Sequence, residues 1–369
     1  MFFIFFATIL EMLLTPFYDP EKSYEENFKE GPFGAFADGV VIDYGGNSSV
    51  MPKFDFLGFK VNSPFGIAAG PLLNGNFIKA ALDKGFDIPM QKTLRTRKRL
   101  SHAWPNVLPV DVSGDLKINS RPLHTKSNFE DPISITNSFG NPSVDPSVWQ
   151  EDLKSAVAYA KGGQIVSASF EGTRWEGCSE EDYINDWVLA AKLLKETGVH
   201  FIEANLSCPN EGITSLLCYD ASRVEIIARA IKREIGSLPL VLKISYFTDE
   251  AELHDLVKRV GNIVDGFAST NTIQAEVVDN KGKQILPGEG RLRSGICGCS
   301  VKWAGLSMVK RLKKLREELG YSYAIIGVGG VMTPEDFFEY RNAGADIVMS
   351  ATGAMWNPYL AKEIKERLR

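Results

Sequence analysis

Beyond residue 60 the chain alternates short apolar runs with longer amphipathic ones. Eight runs have β character: FGIAA (65–69), DIPMQK (87–92), QIVSASF (164–170), HFIEANLS (200–207), LVLKIS (240–245), VDGFAST (264–270), YAIIGVG (323–329) and DIVMSAT (346–352). They lack strict polar alternation, as parallel strands covered on both faces do. Between them NFIKAALDKG, VWQEDLKSAVAYAKGG, YINDWVLAAKLLKETG, ASRVEIIARAIKREIG, DEAELHDLVKRVG, WAGLSMVKRLKKLREELG and TPEDFFEYRNAG place apolar residues at helical spacing, and most stop at glycine. NPYLAKEIKERLR follows the last strand. Eight strand–helix units predict an α/β fold of the (β/α)8 TIM-barrel type. An open doubly wound sheet is the rival, but the first strand–helix junction, AAGPLLNG, lacks the GxGxxG of a dinucleotide site. The barrel is expected over residues 53–369, behind an N-terminal extension over 1–52. Two long stretches break the rhythm, 93–163 after the second strand and 271–300 after the sixth. In a barrel both begin at the C-terminal face, where long irregular segments form lids and site walls.

The extension opens with MFFIFFATILEMLL, which is too short to span a bilayer and lacks the early basic residues and cleavage site of a secretory signal. Two readings stand: an apolar segment that touches a membrane or a partner, or a true start at Met12 with residues 1–11 outside the protein. Composition narrows the rest. A chain of 369 residues with 44% hydrophobic content can bury a large core, and a net charge of −5 disfavours nucleic acid as a partner. The basic cluster RTRKR at 95–99 reads as a solvated loop. Five cysteines, Cys178, Cys208, Cys218, Cys297 and Cys299, form no CxxC pair, so neither a disulfide framework nor a metal site is expected. The simple setting is a reducing cytoplasm.

Three groups of residues carry candidate chemistry. GVGG (327–330) ends the seventh strand, with Thr333 and Pro334 opening a helix, and SATGAM (350–355) follows the eighth. Glycines admit an anion close to backbone N–H groups, and the seventh and eighth loops are a frequent phosphate site in barrels. Lys92, Asn205, Lys243 and Asn271 each stand at a strand end, and Asn137 lies in the first insertion. A barrel would turn them into one mouth, where two lysines and several amides suit a planar ring rich in oxygen and nitrogen. In NLSCPN (205–210), Cys208 sits on a strand-end loop, where a thiol can serve as base or nucleophile. The other four cysteines read as inert. No catalytic His–Asp pair is evident among His102, His124, His200 and His254.

Taken together, NSPFGIAAG (62–70), QKTLRTRKR (91–99), ITNSFGNP (135–142), FIEANLSCPN (201–210), LVLKIS (240–245), STNT (269–272), SGICG (294–298), GVGG and ATGAM (351–355) resemble the dihydroorotate dehydrogenase family of flavoproteins, in the family's order. The resemblance implies an FMN-containing barrel that oxidises dihydroorotate to orotate in pyrimidine biosynthesis. It implies that Cys208 removes the C5 proton while flavin N5 takes the C6 hydride. Lys92, Asn137, Asn205, Asn210, Asn271 and Thr272 would bind the substrate, with Phe139, Gly140 and Asn141 beside it. Ala68, Ala69, Gly70 and Thr93 would line the flavin, which Lys92, Asn137 and Asn205 would also touch. Lys243 would lie near flavin N1 and O2. Gly295, Gly298, Gly329, Gly330, Ala351, Thr352 and Gly353 would hold ribityl and phosphate. Cysteine at the base position resembles the soluble branch of the family, often dimeric, rather than the quinone-linked branch with serine. Two departures stand out: NSFGNP where soluble members typically read NSMGLP, and Thr272 in place of a more usual serine. The second resembles dihydropyrimidine dehydrogenase, which acts on uracil and thymine, and a tRNA dihydrouridine synthase is a further flavin-barrel alternative. With no FAD or iron–sulfur motif, an NAD-linked electron path would need a partner subunit.

Overall fold

A computed structural model describes residues 16–17, 19–42, 53–207 and 216–369. The apolar run at the N-terminus, and Cys208 and Asn210 of the NLSCPN loop, lie outside the described residues. The strands in chain order are β1 (Phe54–Phe56), β2 (Phe59–Val61), β3 (Phe65–Ile67), β4 (Ile88–Leu94), β5 (Leu123–His124), β6 (Ser134–Asn137), β7 (Ser167–Phe170), β8 (Phe201–Asn205), β9 (Leu240–Lys243), β10 (Gly266–Ser269), β11 (Ile273–Val278), β12 (Arg293–Gly298), β13 (Ala324–Val328) and β14 (Ile347–Ser350). Eight of these close a barrel in the order β3-β4-β7-β8-β9-β10-β13-β14, every neighbouring pair parallel. Each coincides with one of the eight apolar runs, and the amphipathic segments form the helices between them, as the (β/α)8 reading expects.

Local chemistry explains where these elements start and stop. Ser179 caps the helix Glu180–Lys195 in a reciprocal box with Asp182, and Thr333 does the same with Asp336 for the helix Pro334–Ala343. The helix Lys302–Leu319 stops at Gly320, at φ +67°. The apolar faces of the helices pack on the outside of the barrel, and Phe17, Tyr24 and Phe36 of the N-terminal segment join that layer.

Inside the bore a separate apolar cluster runs through Ile88, Met90, Phe201, Val241, Ile326, Ile347 and Met349. The β1–β2 hairpin closes its base by adding Phe56 and Val61, with the Phe56 ring edge-on to Phe201 at 5.5 Å between centroids. At the opposite end the two insertions do more than wall the mouth. They pair with each other in a four-stranded sheet, β5-β11-β12-β6, over a small core containing Leu123, Ile273, Ala275, Val277 and Ile296. Among the described residues no helix is long and apolar enough to cross a membrane.

Candidate active site

Side chains two apart on a strand share a face, so the strands that supply the apolar bore also supply the mouth above it. Met90 is followed by Lys92, Phe201 by Glu203 and Asn205, Val241 by Lys243, and Ser167 by Ser169. The later member of each pair lines one cleft at the C-terminal end of the barrel. The polar part of that cleft has an empty volume of about 830 Å³. It adjoins a more apolar part lined by Ala68, Val107, Ile135, Val328, Ala351 and Met355. Ala69, Gly70, Asn137, Lys243, Asn271 and Thr272 border both.

The two lysines are buried. Lys243 Nζ lies 3.0 Å from Glu203 Oε2, with 4% and 1% of the two side chains exposed. Lys92 Nζ sits 4.8 Å from the centre of the Phe139 ring, and Tyr24 packs edge-on against the same ring. The N-terminal segment therefore backs the loop that carries the site.

A continuous set of hydrogen bonds joins the amides. Asn205 Nδ2 donates to Glu171 Oε2 (3.3 Å) and Thr93 Oγ1 (3.4 Å), while its Oδ1 accepts from Asn271 Nδ2 at 3.3 Å. Asn271 Nδ2 also donates to Ser207 Oγ at 2.9 Å. Asn141 Nδ2 donates to Glu171 Oε2 at 2.8 Å. From the sheet above, Asn137 on β6 stands opposite Gly295 on β12, and a Cβ on Gly295 would run into the Thr272 hydroxyl. Arg291 reaches over the mouth and donates to the Ser138 carbonyl (2.9 Å) and hydroxyl (2.6 Å). His102 lies beneath it, against Gly140. Burial, then the charges of Arg291 and Arg99, push the His102 imidazole below its ordinary value.

Of the residues singled out in the sequence, Ala68, Ala69, Gly70, Lys92, Thr93 and Asn137 meet on this cleft. So do Phe139, Gly140, Asn141, Asn205 and Lys243, and Asn271, Thr272, Gly295, Ala351 and Thr352. Gly298, Gly329, Gly330 and Gly353 do not border it directly. Gly329 and Gly330 turn at φ +121° and +64° after β13, where a Cβ on Gly330 would strike Lys302. A Cβ on Gly353 would strike the Val331 carbonyl, and one on Gly298 the Ile133 carbonyl.

One expectation needs correction. RTRKR is not simply a solvated loop: Arg95 is fully buried and ion-paired with Glu171, because that carboxylate neutralises it. Just before the helix that opens at Thr333, two backbone amides are satisfied from within the chain. Asp336 Oδ2 accepts from the Met332 and Thr333 amides at 2.9 Å, and Lys302 Nζ lies 2.8 Å from Oδ1. Burial raises the Asp336 carboxyl, but Lys302 and those amides outweigh it and hold the group below its usual range. Burial pushes the Cys218 thiol up to about 12 and that of Cys297, on the apolar part of the cleft, up to about 11.

Glu203, Glu171, Arg95, Ser169, His102 and Arg291 were not foreseen as site residues. One signal was present: Glu203 is an acid inside an otherwise apolar strand, two positions before Asn205 and so on the same face.

The profile of the dihydroorotate dehydrogenase family matches residues 51–369. The chain belongs to the dihydroorotate dehydrogenase family. A dihydroorotate dehydrogenase of Dictyostelium discoideum is 33% identical over 362 residues, 94% of this chain and 95% of that protein. The catalytic subunit of a dihydroorotate dehydrogenase B (NAD(+)) of Desulforamulus reducens is 32% identical over 178 residues, 48% of this chain and 55% of its own length. A dihydroorotate dehydrogenase A (fumarate) of Lactobacillus delbrueckii subsp. bulgaricus is 28% identical over 246 residues, 62% and 75% of the two chains. The family match runs from the strand hairpin at the barrel base to the last helix, so it takes in both insertions that build the mouth.

Proposed function

We propose that this member of the family oxidises dihydroorotate to orotate, with FMN, in the cleft at the barrel mouth. The observation that carries the reading is the placing of two buried lysines, Lys92 and Lys243, on one cleft with the amides of Asn137, Asn205 and Asn271. Cations at low dielectric favour an anionic, oxygen-rich ligand strongly, and amides supply the directional bonds that select its ring.

The residues present fit FMN. Glu203 Oε1 and Thr270 Oγ1 are buried at the mouth with no hydrogen-bond partner among the described residues. Ala68, Ala69, Gly70 and Thr93 would line the ring system, with Lys243 at its pyrimidine edge and Lys92 between ring and substrate. Gly295, Gly298, Gly329, Gly330, Ala351, Thr352 and Gly353 would hold ribityl and phosphate. Bound FMN supplies a two-electron oxidant. The chain supplies the rest. Asn137, Asn205, Asn210, Asn271 and Thr272 orient the substrate, with Phe139, Gly140 and Asn141 against it, and Cys208 accepts the proton next to the ring carbonyl. A thiol, with an ordinary pKa of about 8.5, is far better matched to that task near neutrality than a hydroxyl. The proposal extends to a cytoplasmic homodimer with residues 53–369 as the FMN domain. Relatives named for fumarate and for NAD(+), the latter as catalytic subunits, support fumarate or NAD through a partner subunit as the acceptor, beside a quinone.

The test is anaerobic. The purified protein is expected to carry flavin absorbance that dihydroorotate bleaches and that dihydrouracil or dihydrothymine leaves unchanged. Cys208→Ser is expected to slow bleaching by about 10²–10⁴-fold at neutral pH with flavin retained, the range for loss of a general base. A folded protein that takes up no FMN, or bleaching at the native rate in Cys208→Ser, would contradict the reading. A panel of fumarate, quinone and NAD(+) added to the bleached protein then identifies the acceptor.

A further inference from the structure

We propose that Arg95 and Glu171, buried together under the cleft, are a positioning pair that sets the orientation of the Asn141 and Asn205 amides and thereby the pattern the site offers its ligand. The inference rests on the reading of this cleft as the orotate site.

Arg95 follows β4 and Glu171 follows β7, and the backbone N–H of Glu171 donates to the Leu94 carbonyl at 3.1 Å. Their side chains pair with essentially no exposure. The guanidinium is fixed on several sides: Nε donates to the Asn141 carbonyl (3.1 Å), and Nη1 to the Gly172 carbonyl (3.2 Å) and Thr173 Oγ1 (2.9 Å). On the other side of the pair, one oxygen, Glu171 Oε2, receives Nδ2 of both Asn141 and Asn205.

A carboxylate only accepts hydrogen bonds, whereas an asparagine amide has a donating and an accepting end. Turning either amide over would set oxygen against oxygen in a dry site. Glu171 therefore selects one orientation of each. Asn205 also gives Nδ2 to Thr93, so the ordering passes through Asn205 Oδ1 to Asn271. Asn141 is gripped at both ends, its carbonyl by Arg95 and its side chain by Glu171, at φ +48°, a left-handed conformation that asparagine tolerates. With those N–H groups committed, recognition of ring N–H falls to the amide oxygens. A buried Arg–Glu pair is in general no more stabilising than apolar residues of similar volume, so its placement under two ligand-facing amides points to specificity and not to stability.

The test uses the full-length, FMN-loaded protein and reads the orotate dissociation constant from the flavin absorbance change. Glu171→Gln and Asn141→Ala are each expected to weaken orotate binding about 10- to 100-fold, the range for losing a buried hydrogen-bond partner. The double variant is expected to be no weaker than the worse single one, because both break the same linkage. Glu171→Asp, which keeps the acceptor, should recover much of the affinity. Arg95→Gln with Glu171→Gln removes both charges together and serves if Glu171→Gln alone fails to fold; it should show the same loss with the melting temperature retained. Orotate affinity unchanged in a folded, flavin-bearing Glu171 variant, or multiplicative losses in the double variant, would overturn the positioning role alone. A wild-type protein that binds FMN but not orotate would overturn the reading of the cleft as well.

Discussion

The two ends of the bore come from the same strands and have opposite chemistry. At the base the β1–β2 hairpin adds Phe56 and Val61 to an apolar cluster, with the Phe56 ring against Phe201. At the mouth, two residues further along the strands, Lys92, Glu203 and Lys243 are buried as charged groups. The difference shows a division of labour along one sheet. Desolvating the charges at the mouth costs free energy that pairing offsets only in part, while burial at the base stabilises at roughly 25 cal/mol per Å² of apolar surface. A barrel closed this firmly at one end can tolerate an expensive arrangement at the other.

Lys243→Met attacks the contrast most directly. It leaves Glu203 as a buried carboxylate without its cation, so stability is expected to fall by about 3–5 kcal/mol. Removing the cation should also slow flavin reduction by about 10²–10³-fold, the usual range for loss of one electrostatic contact in a site. Chemical denaturation and rapid-mixing absorbance measure the two effects. A variant as stable and as fast as the native protein would show that the mouth is not built on this pair. Phe56→Ala works at the other end: it should cost about 3 kcal/mol through the cavity it leaves, yet leave flavin reduction per folded molecule unchanged. A rate that fell with stability would mean the two ends are not separable.

The smallest expected effect is in acid. At the base, burial lowers His200, whose Nδ1 accepts from the Val166 N–H at 3.2 Å; at the mouth, His102 is lowered too. Below the ordinary histidine value of about 6.5 the unfolded chain takes up protons that the folded one refuses, so stability should rise with pH through that window and level off above it. Urea midpoints measured from about pH 5 to pH 8 should show the slope in the native protein and a shallower one in His200→Gln.

What could be read from the sequence follows the range of the interactions involved. The barrel strands and their helices were legible because periodicity is local, and so were Lys92, Asn205 and Lys243, each a polar residue ending an apolar run. The sheet over the mouth was not, because β6 and β12 pair across a long separation and neither segment alternates strongly enough to announce a strand. Arg95 was misjudged for a related reason. In RTRKR it looks like its exposed neighbours, and only the arrival of Glu171 from β7 makes its burial affordable.

That sheet also has a consequence for how the molecule is assembled. β5 and β6 come from the first insertion, β11 and β12 from the second, and four of the eight barrel strands, β7 to β10, lie between them in the chain. Contacts so far apart in sequence form slowly, since a long loop must close before they are rewarded. During synthesis β5 and β6 leave the ribosome well before their partners exist. The wall that carries Asn137 is therefore completed only after β12 emerges, so a nascent chain can have several barrel strands in place and still lack a finished mouth.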